Sequence, residues 1–369
     1  MKKILIVSFA FSILVSLVNG QGCVVVRSTP GAGQYNLKDR SFSTADWQIG
    51  VNNHYFKAYK TYLGSTHVKT LDDSNVIKSY SLDITATRFL SNGWSITLDL
   101  PIGYNSRTTR AEHSGTGQPL HTTSAFGLGD IRLIVYKWLF KPSPSQKINV
   151  QLGLGIKLPT GDYQVQDYFH RNHDSTLVLA PVSFPVQLGD GGTGFSTELN
   201  TFFIFNNTFS LYGNFYYLFN PRNQNGVSTL EGVPPNPPQL AQAQNYSTIN
   251  VTSVTDQFSL RAGLNAAIGN WLFSVGARTD GVPVHDAIGR SDGLRRAGHN
   301  VEVEPGVLYN FKKISVYFYL PILVYHHVSI DDPEKIYAPL YNQITGKTYA
   351  PITGGSGDVT YFFGALFNL

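Results

Sequence analysis

The chain has 369 residues, 14% of them charged and 13% aromatic, with one cysteine and a net charge of +4. So small a charge excludes a protein that holds nucleic acid by its phosphates. One cysteine excludes an internal disulfide, and a charged fraction far below the usual quarter argues against an ordinary soluble domain.

The chain opens "MKKILIVSFAFSILVSLVNGQGC". Lys2 and Lys3 precede an apolar run over 4–18 and then small and polar residues. This is the layout of a secretory signal peptide, expected to span 1–22 with cleavage after Gly20 or Gly22. Cys23 comes at once after it. Gly22 suits a lipid-attachment site but Gln21 and Gly20 do not, so a lipidated and a free Cys23 both stay open. Residues 23–45 read as a short periplasmic lead, or a plug tucked into the barrel. After the leader no apolar run is long enough for a spanning helix.

From residue 46 the chain alternates. Trp47, Ile49, Val51 and Tyr55 share one face of 46–57. Tyr80, Leu82, Ile84 and Ala86 do so in 79–89, and Trp94, Ile96, Leu98, Leu100 and Ile102 in 94–105. Residues 129–140 come next, and then 148–159, "INVQLGLGIKLP", where six large apolar residues occupy every second position. The pattern recurs over 195–205, 208–219, 257–268, 271–280, 301–311, 314–325 and 359–369. Each run has the length that a tilted strand needs to cross a bilayer.

The connections sharpen this reading. Short ones, "SNG" at 91–93, "KPSPSQK" at 141–147, "NN" at 206–207, "GN" at 269–270 and "KK" at 312–313, alternate with long ones at 58–78, 106–128, 160–194, 220–256, 281–300 and 326–358. The long one at 220–256 includes a Pro-rich stretch. Short periplasmic turns alternating with long extracellular loops are the layout of a transmembrane barrel. The expected fold is all-β, an antiparallel up-and-down transmembrane β-barrel of about twelve strands over 46–369, in the outer membrane of a Gram-negative bacterium. The last strand, "VTYFFGALFNL", ends in the alternating apolar and aromatic residues that barrel-insertion machinery reads.

The second face of each strand should line the lumen. It carries Asp83, Asp99, Asp130, Arg132, Lys157, Glu198, Arg261, Arg278, Asp280, Glu302 and Glu304, with the aromatics Tyr212, Tyr216, Tyr317, Tyr319 and Phe362. Mixed charge there suits either a path for a polar solute or an ion-pair network that fills a narrow barrel. No enzyme is expected. "HHVSIDD" at 326–332 holds His327 and Ser329, but lacks the further residues that a lipid-cleaving site needs. His170 and His173 have a spacing that suits a metal, but no second pair matches them, so no metal and no cofactor are expected. Arg290, Arg295 and Arg296 in 289–299 read first as a solvated loop, with phosphates of lipopolysaccharide or other anions as the alternative ligand.

Two stretches carry a resemblance. "GLGDIRLIVYKWLF" (127–140) followed by "VQLGLGIKLPTGD" (150–162) resembles the outer-membrane proteins named for the phenol meta-cleavage pathway, and "VQLGDGGTGFSTELN" (186–200) is similar to the segment that comes next in them. The resemblance implies an outer-membrane barrel with a role in uptake of hydrophobic or aromatic compounds. The resulting expectation is a channel for passive uptake of a small solute, gated by loops 160–194 and 220–256, with outer-membrane lipid and lipopolysaccharide as surroundings. The alternative is a closed barrel that acts through its loops.

Overall fold

The structure, a computed structural model, describes residues 47–69, 75–113, 118–141, 143, 145–231, 237–349 and 354–369. The expected signal peptide, Cys23 and the lead over 23–45 lie outside the described residues.

Twelve antiparallel staves close into a barrel. They are β1 (Trp47–Ala58), β2 (Val76–Phe89), β3 (Trp94–Thr109), β4, β5 (Ile148–Lys157), β6 (Gly194–Ile204), β7 (Phe209–Phe219), β8 (Gln257–Ile268), β9 (Trp271–Val282), β10 (Gly298–Asn310), β11 and β12 (Thr360–Asn368). Two staves are broken. β4 consists of β4a (His121–Leu128) and β4b (Arg132–Trp138), and β11 of β11a (Ile314–Tyr319) and β11b (Ile322–Val328). Neighbours in sequence are neighbours in the sheet, and β12 pairs β1 from Gln48↔Asn368 to Phe56↔Thr360, which closes the ring. Closure matters because an unpaired backbone amide in hydrocarbon costs several kcal/mol, and a closed ladder leaves none at an edge.

The alternation along the sequence is the inside–outside alternation of the wall. Along β9, Trp271, Phe273 and Val275 are exposed while Leu272 and Ser274 are buried. Leu154 on β5 is 67% exposed. A belt of this kind faces lipid, since water would not tolerate so continuous an apolar surface. Three of the four tryptophans, Trp47, Trp94 and Trp271, lie outward at the short-turn end. The Arg88 guanidinium lies 5.2 Å from the Trp47 ring and the Lys137 ammonium 5.0 Å from the Trp94 ring. Lys137 also reaches the carbonyl of Asn92 at 2.5 Å. Aromatic rings with snorkelling cations mark a membrane–water interface. Among the described residues no helix is long and apolar enough to cross a membrane; strands make the crossing.

The strands outrun the expected lengths at the long-loop end. β3 continues to Thr109 and β4a begins at His121, so most of the expected loop 106–128 is a hairpin rising above the belt. The expected unbroken strand over 129–140 is interrupted at 129–131, and that over 314–325 at Leu320 and Pro321. Proline has no amide to give a ladder, which fits the second break. The expected loop 220–256 holds α1 (Gln239–Ser247), and 326–358 holds α2 (Asp332–Thr345). The two helices pack on each other through Leu240, Ala243 and Tyr337. Alternation of period two signals strands, and these short helices carry no comparable stripe.

Asp331 and Glu334 form a capping box at the start of α2, with the Asp331 carboxylate accepting the Glu334 amide at 2.8 Å. Burial, and then the Glu334 carboxylate, push the Asp331 carboxyl up to about 7. The unfolded chain loses that proton near the ordinary value of about 3.9. Between those values the folded form binds more protons, so stability falls as pH rises toward neutrality. Hydrogen exchange in 329–349, corrected for intrinsic rate, is expected to show more protection at about pH 5.5 than at about pH 8, with the difference flattened by Asp331→Asn.

A charge placed on the belt tests the lipid face. Leu154→Lys is expected to lower unfolding free energy in phospholipid vesicles by about 2–4 kcal/mol, read from urea midpoints, while Leu154→Phe leaves the midpoint nearly unchanged.

Candidate functional site

The inward residues form two ionic layers. In one, Arg132 on β4b meets Asp99 directly across the ladder on β3, with Nε and Nη2 at 3.0 and 2.5 Å from Asp99 Oδ2. The Tyr216 side chain reaches Arg132 from β7, and the Tyr136 hydroxyl donates to Glu198 on β6 at 2.8 Å. In the other, register stacks Arg261 beside Arg278 and Arg278 beside Glu302. Arg278 Nε lies 2.6 Å from Asp280 and 3.6 Å from Glu302, and its Nη1 lies 3.8 Å from Glu304. Arg261 Nε lies 4.0 Å from the same Glu304 oxygen. Three carboxylates thus hold two guanidiniums that would otherwise repel. Both guanidiniums sit over the ring of Phe362, at 5.8 and 5.1 Å, reaching from β8 and β9 to β12 across the interior.

Aromatic rings complete the packing. The Tyr317 hydroxyl donates to Asn52 at 2.5 Å across β12. Tyr136 faces Gly153, Tyr212 faces Gly263, and Tyr319 faces Gly306, each directly across the ladder. A Cβ at Gly153 would lie 2.6 Å from the Tyr136 ring, and one at Gly306 only 2.1 Å from that of Tyr319. Glycine is needed there so that the ring can lie flat on the wall. This is why "INVQLGLGIKLP" puts glycine at an inward position.

A third group sits higher, at the break in β4. The two stretches that carry the family resemblance meet there. Thr160 Oγ1 donates to the carbonyl of Gly129 at 2.8 Å and accepts the Ile131 amide at 2.9 Å. Asp130 accepts the amide of Gly161 at 3.0 Å, and Lys157 Nζ lies 3.5 Å from Asp130 and pairs with Asp190. Gly161 and Gly189 pass so closely that a Cβ on either would lie within 2.8 Å of the other segment. These contacts tie the break in β4 to the segments that follow β5. β4b pairs β5 from Arg132↔Lys157 to Trp138↔Gln151, where β4a pairs β3 only. Beyond Lys157 the β5 side of β4a meets the following loop instead, where the Ser124 amide donates to Asp167 at 3.0 Å, and on the inward face Ala125 packs on Val182, Val186 and Leu188. From sequence alone this Gly-Leu-Gly-Asp stretch reads as the start of an ordinary strand. The signal is present in its two glycines, but their purpose appears only in the fold.

Just inside the break lies a cavity of about 170 Å³. Phe56, Phe184 and Leu188 supply apolar wall, and Arg132, Lys157 and Tyr216 the polar floor. Asp83, Asp99, Asp130, Arg132, Lys157, Glu198, Tyr212, Arg261, Arg278, Asp280, Glu302, Glu304, Tyr317 and Tyr319 all lie on the inward side of the wall, in these layers or beside them. They divide between them: Arg132, Lys157 and Asp130 reach the cavity, whereas Arg261, Arg278, Glu302 and Glu304 do not line it. Residues of "HHVSIDD" have structural partners. The His327 ring centroid lies 5.9 Å from that of His299, the Ser329 amide bonds the Ala297 carbonyl, and Asp331 caps a helix.

A closed twelve-stave barrel with an apolar belt and an ion-paired interior defines a transmembrane β-barrel of the outer-membrane type. An outer membrane channel from Pseudomonas putida F1 has this fold, with a TM-score of 0.55 at 9% identity over 89% of this chain and 97% of that one. The chain belongs to the family described as putative MetA-pathway of phenol degradation, whose sequence profile matches residues 73–322. A FadL homologue from Pseudomonas aeruginosa (TM-score 0.43, 10% identity, 89% of this chain and 91% of that) and the toluene transporter TbuX from Ralstonia pickettii (0.39, 8%, 88% and 90%) superpose too loosely to add to this. No curated protein sequence matches the chain.

Removing Arg278 would take the shared cation from the buried Asp280, Glu302 and Glu304 and leave Arg261 beside Glu304 alone. Arg278→Ala is expected to cost about 3–5 kcal/mol of stability, measured by urea unfolding in vesicles, and to raise ion conductance in planar bilayers above that of the parent barrel.

Proposed function

We propose that this protein sits in the outer membrane and passes a small hydrophobic or aromatic solute by diffusion, without catalysis. The observation that supports this most is the cavity inside the β4 break. Its volume of about 170 Å³ is close to the roughly 150 Å³ of a cavity known to accept benzene. Apolar wall from Phe56, Phe184 and Leu188, and polar groups of both signs with Tyr216, suit a single ring bearing a polar group.

A wide aqueous pore fits the interior poorly. Arg278 and Tyr216 are only 2% and 1% exposed, so little water passes them. A solute entering from the long-loop end would instead rest in the cavity and leave where β4a lacks a strand partner on its β5 side. Loop 158–193, which contributes Phe184 and Leu188 to the cavity, would act as the gate. The family description agrees with this reading of solute class.

The test is uptake of radiolabelled toluene and phenol by cells that lack the gene, carry it, or carry Leu188→Trp, which fills the cavity. Uptake is expected to rise several-fold with the parent gene and to fall back with Leu188→Trp, while both proteins stay heat-modifiable on gels. Equal uptake with and without the gene, or liposome swelling in sugars, would overturn the proposal.

A further inference from the structure

Outside the interior layers, two histidines and an aspartate converge over the mouth. His121 opens β4a. His170 lies on the first arm of a hairpin (Gln166–Arg171 and Thr176–Pro181), and Asp174 lies in its turn. His121 Nε2 is 2.8 Å from Asp174 Oδ1, and His170 Nδ1 is 3.4 Å from the same oxygen. The ligand-capable atoms of all three lie within 4.8 Å of one another. Tetrahedral zinc, with bonds of about 2.0–2.1 Å, places neighbouring ligand atoms about 3.3 Å apart. Two of the three separations, 2.8 and 3.4 Å, lie near that spacing.

Conformational strain helps bring them together. Asn172, His173 and Asp174 all have positive φ, at 49, 55 and 65°. Three successive non-glycine residues in the left-handed region are unfavourable, and such strain gathers at ligand clamps. Here it curls the turn so that the Asp174 carboxylate comes back over His170 and onto His121. His113 supports the site from behind. It is buried, its ring centroid lies 5.1 and 5.7 Å from those of His121 and His170, and its Nδ1 accepts the backbone amide of His170 at 3.0 Å. That hydrogen bond puts the His113 proton on Nε2, which makes this ring a positioning residue and not a ligand.

The three side chains are 20–30% exposed, so an ion can reach them from solvent. The rings of His121 and His170 stack at 3.5 Å and 7°, and they must fan apart, with His121 giving up its bond to Asp174, for both lone pairs to meet one ion. Two imidazoles and a carboxylate select zinc, copper or nickel over calcium or magnesium.

We propose that His121, His170 and Asp174 bind one divalent transition-metal ion, with water at the open position, and that the ion staples the hairpin turn to β4a. The sequence pair His170 and His173 points toward this place, but His173 is exposed and stands outside the trio; the partner that completes the site, His121, lies 49 residues upstream of His170.

The experiment uses the refolded full chain without a polyhistidine tag, titrated with Co²⁺ as an optical probe and then with Zn²⁺. One equivalent of Co²⁺ is expected to give visible d–d bands, displaced by Zn²⁺ and untouched by Ca²⁺. His121→Ala and His170→Ala should each weaken binding at least tenfold, and His173→Ala should leave it unchanged. Zn²⁺ should also slow trypsin cleavage after Arg171 several-fold in the parent protein and not in Asp174→Asn. Absence of saturable Co²⁺ binding by the folded, heat-modifiable parent barrel overturns the proposal, as does binding that survives both histidine substitutions. The parent titration decides the matter even if a variant fails to fold.

Discussion

Hydrocarbon offers no hydrogen bonds, and that one constraint governs the rest of this structure. Every backbone amide and carbonyl within the belt must find its partner in the ladder. The ring of twelve staves, with β12 returning to β1, is one of the two ways a chain can meet that demand. Closure then forces the alternation. Outward positions take Leu, Val and Phe because a charge at the midplane costs about 2–4 kcal/mol, and polar side chains are driven to the other face.

Gathering polar groups inside a narrow ring creates a second problem, since buried charges are costly unless paired. The interior solves it by cross-bracing. Arg132 lies 2.5 Å from Asp99 and Arg278 2.6 Å from Asp280, while Glu302 and Glu304 stand 3.6–4.0 Å from Arg278 and Arg261, so opposite charges offset one another. Tyrosines lie flat on glycines of the next strand and fill the space that the charges leave. The interior is therefore packed like a core made of polar parts.

Where the wall rises out of the belt the constraint relaxes, because water can take over unpaired amides. At the break in β4, Asp130, Thr160 and Gly161 satisfy by side chain and close approach the backbone groups that a continuous ladder would have used. The same segment that frees β4a from β5 forms one wall of the cavity, so the departure from regular structure and the candidate site have one cause. The strained turn at 172–174 belongs to the same long loop and pulls Asp174 back toward His121.

The sequence by itself determined the fold class, because period-two patterning is a local property that the bilayer enforces at every step. The strand from Gln257 to Ile268 is readable to the residue, and phase alone assigns Asp99, Arg132, Arg278 and Glu304 to the inward face. Helices α1 and α2 are not legible, since they rest on packing against each other and on a capping box within long polar loops. The tertiary structure alone decided which charges pair, because register across strands depends on closure of the whole ring. It also decided that the segment 129–131 breaks a stave, and that His121 meets His170 and Asp174. Those meetings join residues far apart in the chain, and no local pattern encodes a distance that only the closed barrel sets.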